Sequence, residues 1–411
     1  MKTLLSVILT ISSTIYLFGQ QYKIDPVKIK EDLNKVINDI SKNYIYLKNK
    51  EVSIDCLKSY YQKQIPNIKT EEETVLFFEY LLDELYDSHV NLNTNRKSSY
   101  RLYAPIYATF KNYTPTISNV WISQTTPIKK PILGAKILAF NQIPIEKAIK
   151  DFPTHCHNKN NPGVKEWILN KILAGIYNQP RIVSLKLTNG KQIQLDLDAI
   201  QIKKEKDLLS VTKLKNFGII RIHNSLGKNS LISAFDKALD SLLNTDGLIL
   251  DLRNTISGGD SYIARGIMSR FIDKDLPYQK HVLADESWDN QPKVGRSWIE
   301  YVNPRGKQYT KPLIVLAGRW TGSMGEGTTI GFEGMQRATV IGTELTRLAG
   351  AVFGYQFKHQ KYGYQLSEEK LYHVNGTPRE KYIPLNYVKQ TTLAKDETLE
   401  KALQMLSRKD N

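Results

Sequence analysis

Cysteine is almost missing from this 411-residue chain, in which Cys56 and Cys156 are the only two. Two cysteines define no disulfide framework, and they leave open either one bond in an oxidising compartment or a pair of buried thiols. His155-Cys156-His157 brings three metal-ligand side chains together but no second ligand pair, so it reads as a loop rather than a zinc site. Beyond the N-terminus there is no long hydrophobic run, which excludes a membrane-spanning helix in the body of the chain. Internal repeats and low-complexity tracts are missing too, which argues against a solenoid. Acidic residues are the scarcer charge, 41 Asp and Glu against 57 Lys and Arg, for a formal net charge of +16. Such an excess raises nucleic acid as a partner. The basic residues are dispersed, however, and Lys129-Lys130 and Lys203-Lys204-Glu205-Lys206 are short clusters with no nucleic-acid module beside them. They read as a solvated basic surface.

What is present divides the chain into four. Met1-Lys2-Thr3, then Leu4 to Phe18, gives a short basic start and an apolar stretch too short for a bilayer, so residues 1–20 read as a signal peptide and the protein as secreted or periplasmic. No integral membrane segment is expected once the signal is removed. Residues 21–98 read as a helical domain. Apolar residues recur at helical spacing from Asp25 to Leu47, a second helix is expected at 54–64, and Thr70-Glu-Glu-Glu73 is a capping box opening a third helix that stops at Tyr86-Asp-Ser-His-Val90. Residues 99–206 turn to short alternating strands, with Asn189-Gly190 marking a hairpin. Within them, Gly134-Ala-Lys-Ile-Leu-Ala-Phe-Asn-Gln-Ile-Pro-Ile145 resembles a stretch of PDZ domains, with Ala135 in place of the usual acid and Gln142 in place of the turn glycine. The resemblance implies a PDZ-like β-rich domain that takes an extended peptide on a sheet edge.

From 207 to 411 strands and helices alternate, the pattern of a parallel sheet flanked by helices. Strands are expected at 217–222, 247–253, 313–316 and 338–342, and helices at 231–243, from 263, after Ser323 and at 397–406. Ser323 occupies the handover from one such strand to a helix, with Glu326 in capping-box register. A hydroxyl there sits beside free N–H groups and the positive end of a helix dipole. The same position suits a plain N-cap, and Thr321 replaces the first glycine of a G-x-S-x-G elbow, so this stretch alone does not decide the matter.

Two further segments, taken together with it, do. Asp246-Gly-Leu-Ile-Leu-Asp-Leu-Arg-Asn-Thr-Ile-Ser-Gly-Gly-Asp260, Thr321-Gly-Ser-Met-Gly-Glu326 and Ala338-Thr-Val-Ile-Gly342 resemble, in that order, the core motifs of the C-terminal-processing (tail-specific) serine proteases. The resemblance implies an α/β fold with a parallel-sheet βαβ catalytic core (ClpP/crotonase-like), and it puts Ser323 in the nucleophile's place. The lysine that serves as base in the bacterial branch is missing, because the corresponding loop reads Glu344-Leu-Thr-Arg-Leu-Ala-Gly350 and Arg347 stays protonated. Asp87-Ser88-His89 instead resembles the histidine motif of the tricorn-like branch, which implies His89 as base with Ser88 as auxiliary serine. Glu380, before Ile383-Pro384, stands near the position of that branch's glutamate, although the usual intervening glycines are missing.

In this reading His89 takes the proton of Ser323, Glu380, directly or through Ser88, fixes the imidazole, and the amides of Met324 and of Gly258 or Gly259 hold the oxyanion. No cofactor or metal is called for. The expected partner is a peptide or unfolded protein substrate. The alternative is a non-catalytic member of the same fold that binds peptides or hydrophobic ligands, as Gly325 replaces the family's usual second serine and the Glu380 segment is irregular. Asp251 and Arg253 fit either a functional ion pair or a structural one at the end of a buried strand.

Overall fold

The N-terminal helices do not close a core of their own. A computed structural model describes residues 24–286 and 294–408, so the expected signal peptide lies outside the described residues. In it the helices Pro26–Asn43, Ile54–Gln64 and Glu71–Asp83 share one apolar cluster with Tyr364 and Leu366 of an antiparallel sheet far along the chain and with Phe357 and Tyr362 of the connection before that strand. Buried Asp32 accepts hydrogen bonds from the backbone N–H groups of Lys358 and His359, fixing the first helix to that sheet. The capping box at Thr70 and Glu73 forms as the sequence predicts. This docking carries the end of the third helix, and His89 with it, across to the α/β core.

That core is a six-stranded sheet in the order Asn386–Tyr387, Thr339–Gly342, Leu313–Ala317, Gly247–Asp251, Phe217–Ile222 and Leu209–Leu214. Every neighbouring pair is parallel except the last. Leu313–Ala317 and Gly247–Asp251 are buried at every position, which is why they read as unbroken apolar runs rather than alternating ones. Helices Ser230–Asp240, Ser261–Met268 and Met324–Gly334 pack on the sheet's main apolar cluster, while Glu397–Ser407 covers the other face through Ala402 and Leu406.

Residues 99–206 form an antiparallel sheet in the order Ile106–Lys111, Thr114–Val120, Lys136–Phe140, Ile182–Lys186 and Gln192–Asp196, covered by helix Pro162–Ala174. Asn189 and Gly190 turn the last hairpin, with Gly190 at a φ of 86°. A third, antiparallel sheet was not anticipated. It contains Asn91–Leu92, Gly363–Tyr372, Leu276–Glu286 and Val294–Val302, with Ala351–Gln356 paired to Gly363–Tyr372. Charged residues interrupt its strands on both faces, so no clean two-residue alternation marks them in the sequence.

Cys56 and Cys156 are bonded, with Cα atoms 5.6 Å apart, and tie the second N-terminal helix to a loop of the β-rich segment. The neighbouring histidines are occupied as well. His155 stacks on Tyr60, and His157 contacts the Lys50 carbonyl through Nε2. Asp251 accepts from both Arg221 and Arg253, and Arg253 also reaches Asp396 at the start of the last helix. Fully buried and held well below the ordinary carboxylate range by these arginines, Asp251 closes the strand end onto that helix rather than facing the cleft.

Candidate active site

The backbone bends sharply at Ser323. Its φ of 49° and ψ of −113° lie in a region that residues other than glycine rarely occupy, so the turn stores strain and lifts the hydroxyl from strand Leu313–Ala317 towards the opposite loops. This is the local geometry of a nucleophile elbow, although the sequence lacks that motif's first glycine. Thr321 serves in its place. Completely buried, its Oγ1 accepts from the N–H of Gly318 and donates to the carbonyl of Leu252. Gly325 has an equally local reason, since a Cβ there would lie 2.2 Å from Thr255 Oγ1. The threonine of the neighbouring turn fills the space that a second serine would need.

His89 Nε2 lies 3.1 Å from Ser323 Oγ, although the two residues are 234 positions apart. The other ring nitrogen, Nδ1, is 3.0 Å from the carbonyl oxygen of Ala349. A carbonyl only accepts, so Nδ1 carries the proton and Nε2 is left to accept from the serine hydroxyl. Burial pulls His89 below the ordinary histidine value and the charge of Arg379 acts the same way, opposed by Asp87 and by hydrogen bonding to the Ala349 and Gly350 backbone. The imidazole is therefore neutral at pH 7. Asp87 holds the backbone of the motif rather than the ring, accepting from the N–H of His89 and from the hydroxyls of Tyr44 and Ser367.

This arrangement corrects one expectation. Neither Glu380 nor Ser88 faces Nδ1. Ser88 Oγ accepts from the indole N–H of Trp167, and Glu380 lies on a 3₁₀ turn, Arg379–Lys381, in the wall of a polar cavity that Ser88 and Ala349 also line. Glu380 Oε2 is buried there without a hydrogen-bond partner. Backbone carbonyls leave no side-chain signature, so nothing in the sequence pointed to Ala349.

The loop carrying Ala349 is held from two sides. Arg379 donates to the carbonyls of Leu348 and Gly350. Glu326 accepts from the N–H of Ser323 and from that of Arg347, joining the serine turn to the histidine's support. Complete burial pushes the Glu326 carboxyl up to about 7, against the pull of Arg379 and of the Arg347, Ser323 and Leu348 amides. The sequence placed Glu326 only as a helix cap. Arg347, excluded as a base on chemical grounds, lies 3.9 Å from Glu344.

Opposite the hydroxyl runs the glycine turn. Gly258, at a φ of 65°, comes so close that a Cβ on it would lie 2.3 Å from Ser323 Cβ. Its own N–H donates to the Thr255 carbonyl and is not available to an oxyanion. Among the described residues, the amides of Gly259 and Met324 have no such backbone acceptor. Serine, histidine and Gly259 line one cleft of about 430 Å3, whose other wall comes from residues 102–107 and from helix Pro162–Ala174 of the β-rich segment.

A serine on a strained strand-to-helix turn, in hydrogen-bond reach of a neutral imidazole, is the arrangement of a hydrolase that works by acyl transfer. Residues 216–388, which span most of the α/β core, match peptidase family S41. No curated protein is significantly similar in sequence. The fold as a whole is similar to that of mature CPAF complexed with lactacystin, with a TM-score of 0.60 and 13% identity over 93% of this chain and 97% of that one. It is also similar to the photosystem II D1 C-terminal processing protease (TM-score 0.52, 15% identity, 89% and 95% covered). A putative peptidase from Parabacteroides merdae ATCC 43184 is similar to the same degree (TM-score 0.52, 16% identity, 92% and 96% covered). At these identities what is shared is the fold.

Proposed function

We propose that this protein is an exported serine endopeptidase in which Ser323 is the nucleophile and His89 the general base. The observation that carries the reading is the 3.1 Å contact between His89 Nε2 and Ser323 Oγ, with Nδ1 turned to a carbonyl that fixes the tautomer. Ser323 Oγ attacks the scissile carbonyl carbon while Nε2 takes its proton. The amides of Met324 and Gly259 receive the resulting oxyanion. Collapse of that intermediate breaks the C–N bond, and the imidazolium returns its proton to the departing amine. Water then repeats the sequence on the acyl-enzyme. Ala349 fixes the tautomer and orientation of the ring, as a carboxylate does in other triads, but adds no charge to stabilise the imidazolium. Glu380, not in contact with the ring, acts at most through the polar cavity it shares with Ser88 and Ala349.

The substrate is an extended peptide or unfolded protein that reaches the serine between the α/β core and the PDZ-like β-rich segment. The disulfide and the apolar leader support export to an oxidising compartment, secreted or periplasmic. A fluorophosphonate probe tests the reading directly. It should label the protein once, at Ser323, and fail on Ser323→Ala and His89→Ala. An unlabelled, correctly folded wild-type protein would instead favour a non-catalytic binding protein of the same fold.

A further inference from the structure

The cleft at Ser323 has a chemical character that the catalytic groups do not dictate. Its floor and walls include the apolar side chains of Ile106, Trp167, Ile256, Leu348 and Val352, and Leu102 stands at its rim. Most of the polar side chains around it are already engaged. Asn170 uses both ends of its amide on the backbone of Ala108. Gln365 donates to the carbonyl of His89, Tyr107 donates to Glu166, and Thr346 donates to the carbonyls of Arg319 and Thr321. The free surface left to a substrate side chain is therefore mostly hydrocarbon.

Charge sharpens the point. Two cations line the cleft, Lys171 and Arg319, and among the described residues no aspartate or glutamate does. Lys171 is 3.0 Å from Oδ1 of Asp83, which is not among the lining residues. Arg319 lies over the Tyr107 ring, donates to the Leu345 carbonyl and comes within 3.5 Å of Glu344, while its buried Nε has no partner. A lysine or arginine of the substrate entering here would lose water and find no free carboxylate, since Asp83 and Glu344 lie outside the lining and are already paired with Lys171 and Arg319.

We infer that the cleft selects a bulky apolar residue beside the scissile bond and excludes lysine and arginine from that position. This deepens the peptidase reading above and rests on it. The residue that sets the preference is Leu102. It keeps 64% of its surface exposed, and its side chain joins the cleft wall without belonging to the packed core. Losing one such apolar contact changes selectivity by about tenfold, whereas a buried charge without its counter-ion costs about a hundredfold or more.

The test uses the full secreted chain and paired fluorogenic peptides that differ at the one position next to the cleaved bond, Phe or Leu against Lys or Arg. The wild-type protein should cleave the apolar members at least about a hundredfold faster in kcat/KM. Leu102→Glu, at an exposed position, should fold normally, with the circular-dichroism spectrum and melting temperature of the wild type. It should lose about tenfold on the apolar peptides and gain about tenfold on the basic ones. Wild-type cleavage of the basic peptides at a comparable rate, or an unchanged preference in Leu102→Glu, would overturn the inference while leaving Ser323 as nucleophile. Failure of the probe to label the wild-type protein would remove the peptidase reading itself, and this inference with it.

Discussion

The Nδ1 nitrogen of His89 points at the carbonyl oxygen of Ala349, 3.0 Å away, and no carboxylate lies between them. An uncharged partner fixes the ring but does little to hold a proton on it. Burial and the nearby charge of Arg379 work against the protonated form as well.

The pH dependence follows from that balance. A general base must be neutral, so activity rises as pH climbs through the histidine's pKa, and the folded value lies below the ordinary one of about 6.5. The acid limb of kcat/KM should therefore have its midpoint under pH 6.5, with a plateau through neutrality. A midpoint above 7 would show that another group is the base. His89→Ala should reduce the plateau by roughly a hundredfold to ten-thousandfold.

Glu380 should matter much less. Since its carboxylate does not touch the imidazole, Glu380→Gln should lower kcat by less than about tenfold and leave the acid limb where it was. Measured against His89→Ala, an equal loss would mean that the carboxylate reaches His89 through bridging water.

How far the sequence anticipates this site depends on what kind of group does the work. Buried strands such as Leu313–Ala317 and the capping box at Thr70 are local features, written in residue type and spacing. The serine and histidine are visible for a similar reason, because their chemistry belongs to their side chains. Ala349 works through its backbone and is invisible. Gly258 and Gly259 are alike in sequence, and only the turn shows that Thr255 takes up the amide of the first. The N-terminal helices read as a domain because amphipathicity shows that a face is buried, not against what. Their partner, the sheet around Gly363–Tyr372, lies some 300 residues away.

Reduction of the disulfide should loosen the segment that leads to His89. The loop at Cys156 grips that segment in several places. The N–H groups of His155 and Cys156 donate to Glu84, and the Tyr86 hydroxyl donates to Thr154 at 2.8 Å. Cys56→Ser with Cys156→Ser should cost about 2–4 kcal/mol in denaturant unfolding, given the 100-residue separation of the two cysteines. The rate of Ser323 labelling should fall in the folded double variant. An unchanged rate would show that the hydrogen bonds to Glu84 and Thr154 hold the histidine by themselves.

One short segment next to the β-rich sheet reaches both the glycine turn and the Ser323 turn, and Asn254 is where that coupling can be tested. Buried Asn254 accepts from the indole N–H of Trp121 and from the hydroxyl of Ser123, and donates to the side chain of Gln124. Five residues later in the same turn comes Gly259, whose amide is the proposed oxyanion donor. The Trp121 ring also stacks on Trp320, three residues before Ser323, with centroids 5.3 Å apart and planes 1° from parallel. Asn254→Ala should therefore misplace the oxyanion donor. The expected result is a fall in kcat of about tenfold to a hundredfold with KM nearly constant, because an oxyanion contact strengthens only in the transition state. Gln390→Ala provides the contrast. Gln390 bonds the backbone of Val120 at 2.8 and 3.2 Å and so ties the same segment to the core, but it touches neither catalytic turn. It should lower the melting temperature while sparing kcat. Equal effects of the two substitutions on kcat would show that the β-rich segment acts on catalysis through general stability, and not through Asn254.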